Sequence, residues 1–329
     1  VLRIIHQNWF ILALIGAVSL GLVANQSLAA LAASASLRRT IVAGVLFAMA
    51  LPVRLEELSQ AIRQPSALVA AWIVNMLALP LLAAGLAWTL PADLGAGLIV
   101  AACVPGTIAS AAVLARRAGG DELIPLLLML ITNLTCFLTA PLWLRWLLAA
   151  QVNIQAIEMG VDLSLTVLTP MLGAQVLRRV PVVRHGAMRY RTALAVGCQI
   201  GLLGMVLIGA IQMGQRLQLS PAESGSPKLP LLRLTIVTSV LHLAGIVLAW
   251  QLAASLRASR PQRIGAALGG SQKTLMIGLK LAIDCGVSIL PMVIYHIGQL
   301  IIDSLLVDWW RRHRPAQSRE PSGPEDHPV

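Results

Sequence analysis

Apolar residues in this chain run in long blocks instead of alternating, and short polar or charged clusters separate the blocks. A bilayer core of about 30 Å is crossed by a helix of roughly 20 apolar residues, or fewer where the helix is broken. Read at that length, the pattern predicts ten spans. The first five are Trp9–Ala30, Thr40–Val53, Ala67–Leu90, Leu94–Ala115 and Leu123–Ala150. The second five are Val161–Leu177, Ala193–Gly214, Leu232–Ser255, Ile264–Ile283 and Cys285–Trp310. Connections are short except for Val180–Thr192 and Gln215–Leu231, and the latter holds the linker Ser220–Pro227. Arg3 before an apolar run, with small residues at Ala30–Ser36, resembles a signal peptide. Cleavage would leave nine spans and unbalance the two halves described below, so the segment is read as a span.

Composition agrees. Apolar side chains make up 57% of the chain and charged ones 12%, against about 25% charged in a soluble domain. Mean hydropathy is +0.79. The fold class is therefore an all-α polytopic membrane protein. A net charge of +11 invites a nucleic-acid reading, but the basic residues cluster between apolar blocks and aromatics are only 4%. The charge reads better as a topology signal. With ten spans, seventeen Lys and Arg fall on one side and six on the other, leaving Lys273 and Lys280 inside a span. Both termini are then expected on the cytoplasmic face of the cell (inner) membrane. Cys103, Cys136, Cys198 and Cys285 are scattered without a CxxC pair, which favours buried thiols over a metal or disulfide framework.

Two spans are interrupted at matching places. Val104-Pro105-Gly106-Thr107-Ile108-Ala109-Ser110 breaks the fourth span, and Leu268-Gly269-Gly270-Ser271-Gln272-Lys273-Thr274 breaks the ninth. Each break is followed by a short helical half, a tight junction and a closing span with an early proline, Pro125 or Pro291. An odd number of spans per half turns the second half upside down. The expected organisation is a first five-helix repeat over 1–150, an inverted second over 151–314, and a disordered cytoplasmic tail over 315–329. Paired breaks are a sequence pointer to a transporter's binding site, because the freed backbone groups must line protein or water. Kinking glycines and prolines common to membrane helices are the plainer explanation, which two matched breaks with polar flanks make less economical.

These residues carry a family resemblance. Val104–Leu142, Leu51-Pro-Val-Arg-Leu-Glu-Glu-Leu58, Ser110–Glu122, Ser271-Gln-Lys-Thr-Leu275 and Leu290–Gln299 resemble the bile acid:sodium symporter family, and most nearly its divergent cotransporter-seven-like branch. The resemblance implies two inverted five-helix repeats. Broken spans four and nine would cross in a core, spans one, two, six and seven would form a panel, and a small organic anion would bind between them. It also implies sodium coupling, and no other cofactor. Typical members hold one sodium with a Ser-Asn pair at the span-four break and hydroxyls in span five. Here Ser110 is followed by Ala111, with Pro125 and Met129 at the span-five positions; Thr132 and Asn133 lie a turn further on. At the second site Asn75 and Gln272 match the amides, but Leu268 stands where a glutamate is typical. The resemblance thus leaves Asn75, Ser110 and Gln272 as candidate sodium ligands in a weakened set.

Lys273 stands where typical members carry an asparagine. A charge at a helix centre costs about 2.5–3.5 kcal/mol on insertion scales, so it takes a partner or a task. Its ammonium is expected to replace a bound cation, pair with an anionic substrate or exchange protons. A purely structural lysine on the freed carbonyls is the competing reading. Lys280 has Asp284 four residues on to neutralise it. Thr107, Ser271, Thr274 and His296 complete the candidate site, with His296 read either as a relay or as a satisfied core histidine. Asp162 and Glu158 are expected to meet water, and Asp303 to be screened near the cytoplasmic end by Arg311 and Arg312. Glu56 and Glu57, with Arg54 and Arg63, read as an interfacial segment. Enzyme motifs are missing from the sequence, as are the charge rings of a channel. A non-transporting sensor on the same fold, or a proton-coupled or uniport carrier, stays open beside the transporter reading. The lipid bilayer is the partner expected besides the anion. Nucleic acid is not expected, and oligomeric state is left open.

Overall fold

The structure, a computed structural model, describes residues 2–53, 65–107, 110–149, 152, 154–219 and 228–313. The expected interfacial segment at 54–63, the linker Ser220–Pro227 and the tail 315–329 lie outside them. The described residues form helices and no strand: α1 (Leu2–Val23), α2 (Ala29–Ala33), α3 (Ala35–Ala50), α4 (Pro65–Ala87), α5 (Ala92–Cys103), α6 (Ser110–Ala118), α7 (Leu123–Leu148), α8 (Ala156–Leu177), α9 (Pro181–Arg189), α10 (Arg191–Leu219), α11 (Lys228–Ser255), α12 (Arg260–Ser271), α13 (Leu275–Asp284) and α14 (Leu290–Arg312). Six of these, α4, α7, α8, α10, α11 and α14, are long and apolar enough to cross a membrane by themselves. Large apolar residues on their outer faces, such as Leu138, Ile200 and Ile236, are more than half exposed, as a lipid-facing surface requires.

Several boundaries differ from expectation. The first helix runs to Val23 and is followed by a turn and the short α2, where the apolar pattern read on to Ala30. The second begins at Ala35, because the Ser34 hydroxyl caps it by accepting from Leu37 N at 3.2 Å. Val180–Thr192 is largely the helix α9, entered through Pro181 at its first turn. In α4 and α8 a π-helical turn, Val74–Ala78 or Ser164–Leu168, directly precedes a Leu-Pro or Thr-Pro step. Proline lacks the N–H and crowds the preceding turn, and a wider turn relieves that conflict.

Spans four and nine are broken as expected, α5 from α6 and α12 from α13. The junctions leading out of α6 and α13 are built alike. Gly119 (φ 79°) and Gly286 (φ 69°) adopt the left-handed conformation that a glycine takes without strain. Two residues on, Asp121 Oδ1 accepts from Leu123 N at 2.9 Å and Ser288 Oγ from Leu290 N at 3.3 Å, starting the next helix. Each junction also packs on the opposite half. Asp121 N donates to Pro261 O at 2.9 Å, and Ser288 N to Asp93 Oδ1 at 3.0 Å. A Cβ on Gly265 would come within 2.4 Å of Asp121 O, and one on Gly97 within 2.4 Å of Ser288 O. Glycine at these two positions permits the close crossing.

Packing sorts the helices into two groups. α1 and α3 pack on α10, and α3 on α8. The other group is centred on α12, which packs on α4, α6, α7 and α11, while α14 packs on α5, α6 and α11. The groups touch chiefly where α7 meets α8 and where α13 meets α10.

Candidate functional site

The two breaks meet inside the second group, and their freed backbone groups explain most of the polar chemistry there. Buried N–H and C=O groups must find partners. Thr274 N donates to Pro105 O at 2.9 Å, tying one break to the other. Gly106 N donates to Thr132 Oγ1 at 3.2 Å, and Asn133 Nδ2 donates to Gly106 O at 3.1 Å, so α7 fixes the span-four break. Gln299 of α14 grips the peptide at Lys273 from both sides, accepting from its N–H at 3.0 Å and donating to its carbonyl at 3.1 Å. Tyr295 Oη donates to Ser271 O at 2.7 Å. Asn75 Nδ2, in the π turn of α4, donates to Gly270 O and Gln272 O, each at 3.0 Å.

Lys273 is fully buried. Its Nζ donates to Asn75 O at 2.6 Å, Val104 O at 2.9 Å and Asn75 Oδ1 at 3.1 Å. Three oxygens match the three N–H donors of an ammonium. One of them is the carbonyl just past the C-terminus of α5, where the helix dipole favours positive charge. The side chain thus reaches across to the other break and to α4, a cross-link more than a plug for its own break.

Gln272 carries the second network. Its Oε1 accepts from Thr107 Oγ1 at 2.5 Å and Ser110 Oγ at 2.8 Å, and its Nε2 donates to Asp303 Oδ2 at 2.5 Å. Asp303 Oδ1 lies 2.8 Å from His242 Nε2, and His242 Nδ1 lies 3.3 Å from Ser271 O. Both His242 and Asp303 are buried, so the expected screening of Asp303 by terminal arginines gives way to a partnered carboxylate inside the bundle. Sequence reasoning did not join Asp303 to His242, although a signal for Asp303 was present. Tyr295, Gln299 and Asp303 recur every four residues and share one face of α14.

Of the candidate residues, Asn75, Thr107, Ser110, Thr132, Asn133, Gln272 and Lys273 come together at the crossover. Ser271 contributes its carbonyl, since its hydroxyl donates back to Ala267 O at 2.8 Å. Thr274 contributes its N–H. His296 stands at the edge, with Nδ1 2.8 Å from Gln299 Nε2. Asn133 Oδ1 is a buried acceptor without a partner among the described residues, the kind of atom that would suit a cation or water. No group of three or more His, Cys, Asp and Glu spaced to hold a metal occurs among the described residues. Asp162, expected to meet water, pairs with Arg39 at 2.8 Å and with Lys280. Lys280 also pairs with Asp284 at 2.7 Å, as the four-residue spacing implies.

A profile of the SBF-like CPA transporter family matches residues 8–312. The chain is similar to the "probable sodium/metabolite cotransporter BASS4, chloroplastic" of Arabidopsis thaliana, with 26% identity over 93% of this chain and 73% of the plant protein. It is similar to the proteins of the same name in Oryza sativa subsp. indica and subsp. japonica, with 27% identity over 93% of this chain and 76% of theirs.

Proposed function

The chain belongs to the SBF-like CPA transporter family, a multi-pass membrane transporter and not an enzyme, and from that premise we propose that it carries a small organic anion by alternating access. In this reading α1, α3, α8 and α10 form a panel, and the helices around the crossover form a core. The like-built junctions at Gly119 and Gly286 support two inverted five-helix repeats over 1–150 and 151–314. The excess of arginine on one side supports cytoplasmic termini in a cell membrane. The names of the plant relatives place those proteins in the chloroplast.

The observation that carries the reading is the Nζ of Lys273 held by three oxygens from α4 and the span-four break. Carbonyl and amide oxygens are the donor type a hard cation uses, and here three of them hold a covalently attached cation. Lys273 then takes the place of the sodium that the relatives' names imply for them, and Asn75, Gln272 and Ser110 serve the crossover instead of a free ion. A tethered cation neutralises an anionic cargo without needing a sodium gradient. The N-termini of α6 and α13, beside the breaks, offer N–H groups to that anion.

Uptake of radiolabelled organic anions into proteoliposomes, with and without a sodium gradient, tests this. The expected result is saturable uptake that does not respond to sodium. Uptake that collapses without sodium contradicts the tethered-cation reading. A sensor on the same fold is favoured by one observation: the break carbonyls and the lysine donors are already partnered inside the protein. Absence of flux for every anion tried would support it.

A further inference from the structure

The two helix groups meet through charge at one end of their seam and enclose a small cavity at the other. Lys280, on α13 and 4% exposed at its side chain, pairs with Asp162 of α8 and with Asp284, one turn along its own helix at 2.7 Å. Asp162 also holds Arg39 of α3 at 2.8 Å. Four charges of alternating sign therefore run Arg39, Asp162, Lys280, Asp284, and the middle link joins α8 to α13. At the far end of α3 and α8 the same seam holds a cavity of about 50 Å³ lined by Ala50, Val53, Met129, Met171 and Gln175. Asp162 and Gln175 stand thirteen residues apart on α8, about 20 Å at 1.5 Å per residue.

We propose that the Lys280–Asp162 pair is a releasable electrostatic latch that closes one end of the seam between panel and core. It rests on the alternating-access reading, since a latch has work to do only if the two groups separate. The charge arrangement suits release. When the middle link opens, Lys280 keeps Asp284 and Asp162 keeps Arg39. Neither group is stranded as a lone buried charge, which is what makes breaking an ordinary buried pair so costly. Asp162 and Asp284 are 22% and 34% exposed at their side chains, so neither carboxylate is enclosed by protein alone.

Lys280 has no charged counterpart at the matching place in the first broken helix. The spacing that superposes Gly119 on Gly286 and Asp121 on Ser288 places Val113 and Arg117 of α6 at the positions of Lys280 and Asp284. Arg117 pairs with Asp308 of α14 at 2.9 Å, inside its own group. Val113 carries no charge, so the first broken helix has no counterpart of Lys280 at this position.

Cys285 supplies a reporter, a buried thiol one residue past Asp284. The full chain in nanodiscs, with Cys103, Cys136 and Cys198 replaced by alanine, is labelled with a soluble maleimide. Minor conformers are commonly about 0.1–10% populated, so Lys280→Met and Asp162→Asn should each speed labelling by at least about tenfold. Asp162→Glu keeps the carboxylate and should label like the parent, as should Asp284→Asn, in which Lys280 keeps Asp162. Should Lys280→Met fail to fold, Asp162→Asn carries the test. Unchanged labelling in folded Asp162→Asn overturns the latch. Faster labelling in a protein without flux would retain the latch and remove the transport reading, whereas flux with unchanged labelling would remove the latch alone.

Discussion

At the scale of single residues, Lys273 is the side chain whose loss is felt most widely. Replacing it with methionine keeps much of the volume but leaves Asn75 O, Asn75 Oδ1 and Val104 O without their donor. Each unsatisfied buried polar group costs about 1–3 kcal/mol. Lys273→Met should therefore lower the unfolding midpoint clearly in a detergent thermal melt, and should abolish anion uptake. Lys273→Arg should not rescue it, since a planar fork cannot reproduce the three-oxygen geometry around a compact ammonium. Full uptake by Lys273→Met would remove the role. Lys273 was legible in the sequence because a charge amid apolar residues is conspicuous. Its partners were half legible: Asn75 and Gln272 stood out as amides near breaks, whereas Val104 offers only a backbone carbonyl, which no side-chain pattern reveals. Asp303 was misplaced because distance from the chain's charged end was weighed above the four-residue spacing it shares with Tyr295 and Gln299.

At the scale of elements, the breaks and junctions were the most readable feature. Gly and Pro punctuate a helix by known backbone rules, so the fourth and ninth spans announced their interruptions. The π turns of α4 and α8 were not readable, because a one-residue widening leaves the apolar pattern almost unchanged. Nor was α9, whose arginines and histidine mask its helical period. The crossing itself depends on two glycines. A side chain at Gly97 or Gly265 meets a backbone carbonyl that cannot move aside, and overpacking of this sort costs about 1–3 kcal/mol. Gly97→Val and Gly265→Val should each depress the melting temperature by a comparable amount. Gly173→Ala, where nothing lies within 4 Å, should be neutral or mildly stabilising. A marked difference between Gly97→Val and Gly265→Val would argue against the like-built halves.

At the scale of the whole molecule, composition and charge placement settled the solvent and suggested the orientation, since both follow from burial of charge in lipid. The grouping of the helices was legible only through the family resemblance, which implied spans one, two, six and seven as a panel, and not through the apolar pattern. Apolar blocks do not say which neighbour they pack on, and the link from Lys280 to Asp162 joins positions far apart in the chain. A tethered ammonium standing where a free cation would bind is tested most directly by sodium-dependent stabilisation, because a ligand held by the folded state raises stability by about 2.7 kcal/mol at a hundred times its Kd. Thermal melts in sodium chloride and in choline chloride at equal ionic strength should coincide for the parent chain. In Lys273→Asn, which vacates the position, sodium should raise the melting temperature. A sodium-specific rise in the parent chain itself would show that a free ion still binds there and would rule out the tethered ammonium.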